Sequence, residues 1–202
     1  LNDQYYSTLC LIDNSYQFIF VKVSDLSIVG RSSALPAGSG EKWIAPPFPY
    51  FVDASGAIFT GTPDQKILRV KFNPSEPNSV KVEEFADLRA SDGAGLNADD
   101  HAITAIAMDF SGKIWFATAG GAVGFADENG KAHAIRLTDK KTKERESVSN
   151  PFAISEENAV FVASNFALYR FDSGSADKQV VQTWREPVER GTAIKKGQTT
   201  QG

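Results

Sequence analysis

The sequence is poor in groups that ligate soft metals or cross-link a chain. Its 202 residues hold one cysteine, Cys10, and two histidines, His101 and His133. One cysteine cannot form an internal disulfide, and this inventory argues against a tetrahedral zinc centre of His and Cys built within the chain. Cys10 lies in the apolar run Leu9-Cys10-Leu11-Ile12 and reads as a buried structural thiol. No apolar run approaches the roughly 20 residues that cross a bilayer as a helix, and no charged-then-apolar leader opens the chain. An excess of one charge is also missing, since 21 basic side chains face 25 acidic ones and the pI is about 5.3. Such a surface has no long-range field to gather phosphate backbones or an anionic membrane, so nucleic acid is not an expected partner. No glycine-rich phosphate loop precedes a helix, and Gly120-Gly121 reads as a hairpin turn. The sequence starts at Leu1 and stops in the turn-like stretch Gly197 to Gly202. Both ends read as cut, which is compatible with a removed leader and leans the reading towards an extracytoplasmic setting.

What the sequence does have is a repeat. Asp109-Phe110-Ser111-Gly112-Lys113-Ile114-Trp115-Phe116-Ala117-Thr118 combines a tight polar turn with a short apolar strand. A second copy is Asp53-Ala54-Ser55-Gly56-Ala57-Ile58-Phe59-Thr60-Gly61-Thr62, and weaker copies start at Asp13 and Ser155. The starts are 40, 56 and 46 residues apart, a period that means one small supersecondary unit per repeat.

The expected units are 5–31, 49–85, 102–138 and 151–184, with 185–202 a turn or the start of a further unit. Each is a set of short strands rich in aromatic and β-branched residues, bounded by Gly, Pro, Asn and Asp. In 66–72, Ile67, Arg69 and Lys71 alternate with Leu68, Val70 and Phe72, as in a strand with one wetter face. Glu128-Asn129-Gly130 is a hairpin signal. Three longer connections interrupt the pattern: 32–49, with its prolines, 86–101, and the charged stretch 139–150, which reads as solvated. His133 is expected on an exposed outer strand.

Four units of short antiparallel strands resemble blades of a β-propeller, an all-β fold. Asp-x-x-Gly-x-Ile-Trp-x-Ala-Thr followed by Gly-Gly is similar to blades of two-component-regulator, NHL-type and gluconolactonase (SMP-30)-type propellers. The stretches 150–154, 167–172 and 184–186 also resemble uncharacterised bacterial propeller proteins with quinoprotein-like blades. The resemblance implies four four-stranded blades in one domain, 1–202, within a larger ring of roughly six to eight blades. It makes Asp53, Asp109, Trp115 and Trp184 structural residues. Uncovered sheet edges would need a further propeller segment or a second copy to pair with.

The resemblance also places the ligand-facing side. Loops entering each innermost strand, 43–48, 89–101 and 140–150, share a face with the turns at Asp64, Gly120-Gly121 and Asn165. The candidate ligand-binding residues are therefore His101, Asp99, Asp100, Asn150, Asn165 and Asp64. His101 is a candidate general base, with Asp99 or Asp100 as orienting partner. Asp92, Asn97 and Asp99 form an oxygen-rich cluster that could take calcium or simply be loop. Five residues before each turn start stand Thr8, Phe48, Thr104 and Asn150. Gluconolactonase-like enzymes put carboxylate and Asn metal ligands near that place, so only Asn150 matches, and Asn150 also suits a turn before Pro151. The leading expectation is a module binding a small molecule or a protein. The alternative is a metal-dependent hydrolase or lyase with its site at a central channel.

Overall fold

The computed structural model describes residues 5–12, 15–35, 49–76, 79–91, 93–139, 143–149, 151–174 and 180–188. Four antiparallel sheets follow one another along the chain. The first holds β1 (Tyr5–Ile12), β2 (Ser15–Lys22) and β3 (Ile28–Arg31). The second is β4 (Tyr50–Val52), β5 (Ile58–Gly61), β6 (Lys66–Phe72) and β7 (Val80–Asp87). The third is β8 (Ile103–Met108), β9 (Ile114–Thr118), β10 (Ala122–Ala126) and β11 (Ala132–Arg136), and the fourth is β12 (Ala153–Ile154), β13 (Val160–Ala163), β14 (Ala167–Ser173) and β15 (Val180–Pro187). Within each sheet the strands keep their chain order. A single 3-10 turn at Ala98–Asp100 is the only helical element among the described residues.

The repeated turns explain themselves at the level of hydrogen bonds. Asp109 Oδ1 accepts from the backbone N–H groups of Ser111 and Lys113 and from the Ser111 hydroxyl. Its Oδ2 accepts from the Trp115 indole N–H at 2.9 Å. Asp53 repeats the turn with Ser55 and Ala57. Gly56 and Gly112 sit at φ 85° and 88°, a conformation that a Cβ disfavours. Trp115 is wholly buried, which is worth about 2–3 kcal/mol on apolar area alone.

Consecutive sheets stack face to face. The first and second share a core of Phe18, Phe20, Leu35, Ile58, Leu68 and Val70. Phe59, Ile67, Ile103, Ile106, Ile114 and Phe116 join the second to the third, and Trp115, Phe125, Val160, Val162, Tyr169 and Phe171 join the third to the fourth. The alternation of antiparallel strands then sorts the connections into two ends. The turns at 53–57, 109–113 and 155–159 lie at one end, here the turn end. The turns at 62–65, 119–121 and 164–166, with the described residues of loops 88–102 and 137–152, lie at the other, the loop end.

The first sheet departs from the expected phase. Phe20 stacks on Phe72 at 4.6 Å, Tyr5 meets Phe72 edge-on, and a Cβ on Gly30 would touch Val80, so these residues lie at the turn end of the second sheet. Phe18 instead meets Tyr50 at the loop end. β2 therefore runs alongside β6, and Ile12 and Ser15, the paired ends of β1 and β2, lie at the loop end, whereas the turns at Asp53, Asp109 and Ser155 lie at the opposite one. β1, β2 and β3 match the second, third and fourth strands of the other sheets, and among the described residues no innermost strand lies beside β1. Asp13 and Asn14 themselves fall outside the described residues.

Four local expectations are corrected by the packing. Cys10 is half-buried rather than buried, because β1 is a sheet edge. His133 is half-buried, its ring 5.7 Å from that of Phe125 and packed over Gly93. Trp184, expected to be a structural residue, is 42% exposed because it lies on the outer flank of the last sheet. Within the stretch read as solvated, Glu146 is 1% exposed because polar groups of the fourth sheet close over it.

Candidate functional site

The long loops come together at the loop end, and buried polar groups fasten them there. Asn97 opens the 3-10 turn by accepting from Asp99 N–H, and its own N–H donates to Asp100 Oδ2 at 2.8 Å. The Asp100 side chain is fully buried and takes a two-pronged bond from Arg136, Nε at 2.9 Å and Nη2 at 2.8 Å. Arg145 adds a third guanidinium contact at 3.1 Å. Burial alone would raise the carboxyl pKa, but these guanidinium and backbone bonds outweigh it and hold Asp100 below its ordinary value. Asp100 in 88–102 thereby ties the last strand of the third sheet to loop 137–152.

A second node serves the other loop. Glu146 is buried and accepts from the Tyr169 hydroxyl at 2.6 Å, from Ser164 Oγ, and from Arg185 Nη2 at 3.3 Å. Arg185 Nε also donates to the Tyr169 oxygen at 2.9 Å, and Arg185 lies 3.6 Å from Asp139. Burial, reinforced by the Glu146 carboxylate, pushes the Tyr169 hydroxyl up to about 12. The two nodes have one plan: an acid from the loop entering a sheet is gripped by an arginine from that sheet's last strand.

The turns between second and third strands complete the frame. Gln65 is fully buried at φ 66°, and its amide donates to the carbonyls of Asn97 and His101 and accepts from Arg89 Nε. Ser147 N–H donates to Asn165 Oδ1 at 2.8 Å and Asn165 N–H returns a bond to Ser147 O. Between them, a Cβ on Gly120 would fall 2.2 Å from Asp99 O, and one on Gly121 would fall 2.0 Å from Glu146 O. One loop thus presses on each glycine, a close approach that only a bare backbone permits.

Of the sequence-predicted residues, Asp99 and His101 are exposed on this frame, with His101 at φ 55°. Asp64 is half-buried and accepts from Thr62 Oγ1 at 2.5 Å. Asn165 and Asn97 each commit a side-chain oxygen to a backbone N–H, and Asp100 is spent on two arginines. Thr104 Oγ1 donates to Val148 O at 2.8 Å. Asp92, Asn150, Lys140, Lys141 and the stretch 43–48 lie outside the described residues. Among the described residues, no group of three or more His, Cys, Asp or Glu side chains gathers to hold a metal. Gln65, Glu146, Arg136, Arg145 and Arg185 were missed by sequence reasoning. The one local signal was an arginine near the end of the last strand in both the third and fourth sheets.

No protein-family model and no curated protein matches the sequence. Solved structures do resemble the fold. A 6-phosphogluconolactonase-like protein from Bacteroides uniformis aligns with 93% of this chain and 56% of its own, at TM-score 0.60 and 14% identity. A β-propeller domain from Myceliophteria thermophila aligns over 91% of this chain and 54% of its own, at TM-score 0.53 and 12% identity. The four sheets are β-propeller blades. A virginiamycin B lyase from Staphylococcus aureus also aligns, over 90% of this chain and 57% of its own, at TM-score 0.50 and 17% identity. The chain spans little more than half the length of these propellers, and identities this low speak for the fold alone. In propeller terms the loop end is a rim on which Gln65, Asp100 and Glu146 are buried as fasteners, while Asp99 and His101 are exposed. No helix among the described residues is long and apolar enough to cross a membrane.

Proposed function

We propose that this chain is a propeller-based binding module that engages a small molecule or a protein through its loop end, with Asp64, Asp99, His101 and Asn165 at the contact surface. The observation that supports this reading is the double fastening of loops 88–102 and 137–152 by Asp100 and Glu146. Loops held by buried ion pairs are pre-organised, which lowers the entropy cost of binding, and rigid scaffolds commonly carry function on such loops. The metal-dependent hydrolase reading needs oxygen ligands free to converge. Of the candidate metal ligands, Asn97 already serves an internal bond.

The test is a thermal-shift panel of sugars, sugar lactones and short peptides, run on the wild type and on Asp99→Asn/His101→Ala. The expected result is a stabilising compound whose effect the double variant loses, with no turnover of that compound. Calcium-dependent hydrolysis of a lactone, abolished by a chelator, would replace the binding module with the enzyme reading.

A further inference from the structure

The second blade has an opening at its turn end where the third blade carries a long side chain. In both, Oδ1 of the turn aspartate accepts from the backbone N–H four residues on, which puts Ala57 and Lys113 in equivalent places. Lys113 extends across its place, with Nζ 5.3 Å from the centre of the Phe125 ring and donating to Ser173 Oγ of the fourth blade at 2.8 Å. Ala57 offers only a methyl group. Beside it a cleft of about 590 Å³ opens between the 53–57 turn and the described residues of the 73–79 connection.

The outer hairpin supplies a further wall. Val70 and Ala126 hold equivalent positions, opposite Ile58 and Ile114. The β10–β11 ladder ends at Ala126, whereas β6 and β7 continue through the pairs Lys71 with Lys81 and Phe72 with Val80. Residues paired across strands share a face, so the two lysines are neighbours, and like charges so placed repel. Only one of them is compensated. Glu83 lies 3.2 Å from Lys71, but the same oxygen lies 3.0 Å from Arg69, and Arg69 and then Lys71 hold its carboxyl below the ordinary value. Lys81 has no acidic partner among the described residues.

The rest of the lining is chemically mixed. The Glu76 carboxylate has no partner among the described residues, and Asn73 spends its Oδ1 on Ser75 N–H, leaving its NH₂ group to donate elsewhere. With Arg69 and Glu83 cancelling, Lys71 and Lys81 against Glu76 leave one positive charge in excess. Phe72 and the Ala57 methyl add apolar surface. Cations for an oxyanion, an acceptor and a donor for hydroxyls, and a patch for C–H groups thus meet in one cleft, and its volume is that of an ordinary ligand site.

We propose that this turn-end cleft binds a small polyhydroxylated monoanion, a sugar acid, with its carboxylate between Lys71 and Lys81 and a hydroxyl donating to Glu76. The excess of one charge suits a carboxylate better than a phosphate dianion, and a carboxylate between the lysines relieves their repulsion. This site lies at the opposite end of the blades from the proposed loop-end surface and does not depend on it.

The test titrates the isotope-labelled full chain with glucuronate and follows backbone amide shifts, with glucose, acetate and inorganic phosphate as comparison probes. The expected result is saturable shifts at 54–57 and 71–81, with binding about tenfold weaker for glucose and for acetate, each of which carries only part of the ligand's chemistry. Lys81→Met should weaken glucuronate about tenfold while leaving Tm unchanged or raised, because it removes the repulsion with Lys71. Ala57→Lys, which gives the second blade the side chain of the third, should abolish the shifts. Should that variant fail to fold, Lys81→Met on the exposed overhang carries the test. An absence of saturable shifts overturns the inference, as do shifts that Lys81→Met leaves intact. Phosphate binding as tightly as glucuronate also overturns it, by marking a bare anion trap. Shifts confined to 97–101 overturn it while supporting the loop-end surface, so the two readings fail separately.

Discussion

Two aspartates occupy the same turn, and their burial separates their energetics. Asp53 serves Ser55 and Ala57 in a half-exposed turn. Asp109 serves the equivalent groups and also the buried Trp115 indole. Removing it leaves an N–H inside the core without a partner, which carries the full desolvation penalty. Asp109→Ala should therefore cost about 3 kcal/mol in urea unfolding, against about 1 kcal/mol for Asp53→Ala. Equal losses would mean that the indole bond contributes nothing. The buried ion pairs make a second prediction, in pH. The folded-state value of Asp100 is depressed, so its stabilisation is present above the ordinary 3.8 and drains away as pH falls below it. Asp100→Asn should lower stability near neutrality and flatten that acid limb. Tyr169 runs the other way, since its folded-state value is raised from 10.0 to about 12. Stability is whole below 10 and falls between 10 and about 12, where only the unfolded chain loses the proton. Tyr169→Phe should remove that alkaline slope, and a slope that persists in the variant would place its origin elsewhere.

At the scale of elements, Gly120-Gly121 divides the two loops between neighbouring residues. A methyl at Gly120 meets the backbone of Asp99, and one at Gly121 meets that of Glu146 in addition to straining φ 79°. Gly120→Ala should speed hydrogen exchange and proteolysis in 88–102 while sparing 143–149, and Gly121→Ala should do the reverse. Loosening of both loops by either variant would show that they move as one unit. These contacts also mark what was legible in the sequence. The turn at Asp109, the strand after it and the Gly-Gly turn were readable because each is fixed by residues within about ten positions. Gln65 and Glu146 were not, because the partners that bury them include groups 32 to 39 residues away and a polar residue in a loop carries no mark of burial. The first sheet misled for a related reason. A polar turn between apolar strands looks the same at either end of a blade, and only packing of Phe18, Phe20 and Gly30 on the second sheet reveals which end it occupies.

For the whole molecule, the array behaves as a one-dimensional stack in which each blade is stabilised by its neighbours. The third blade has both faces covered, and every residue of β9 and β10 is buried. At the two ends of the stack, β15 has one buried residue and β1 has none, with one of β1's edges unpaired by any described strand. Local opening costs least where few apolar contacts cover the backbone. Native-state hydrogen exchange should therefore rank β9 and β10 as the slowest amides, with β15 and β1 exchanging at least about tenfold faster through sub-global opening. The contrast between β10 and β15 is read at the β15 amides that face β14, since β15 pairs along most of its length with that one strand and presents an open flank, whereas β10 is paired with both β9 and β11. If β15 exchanges as slowly as β10, hydrogen bonding within a blade outweighs the contacts between blades and the stack is one cooperative unit. If it exchanges faster, and slows when Leu168, Val181 and Trp184 are covered, stability is transmitted through the faces between blades.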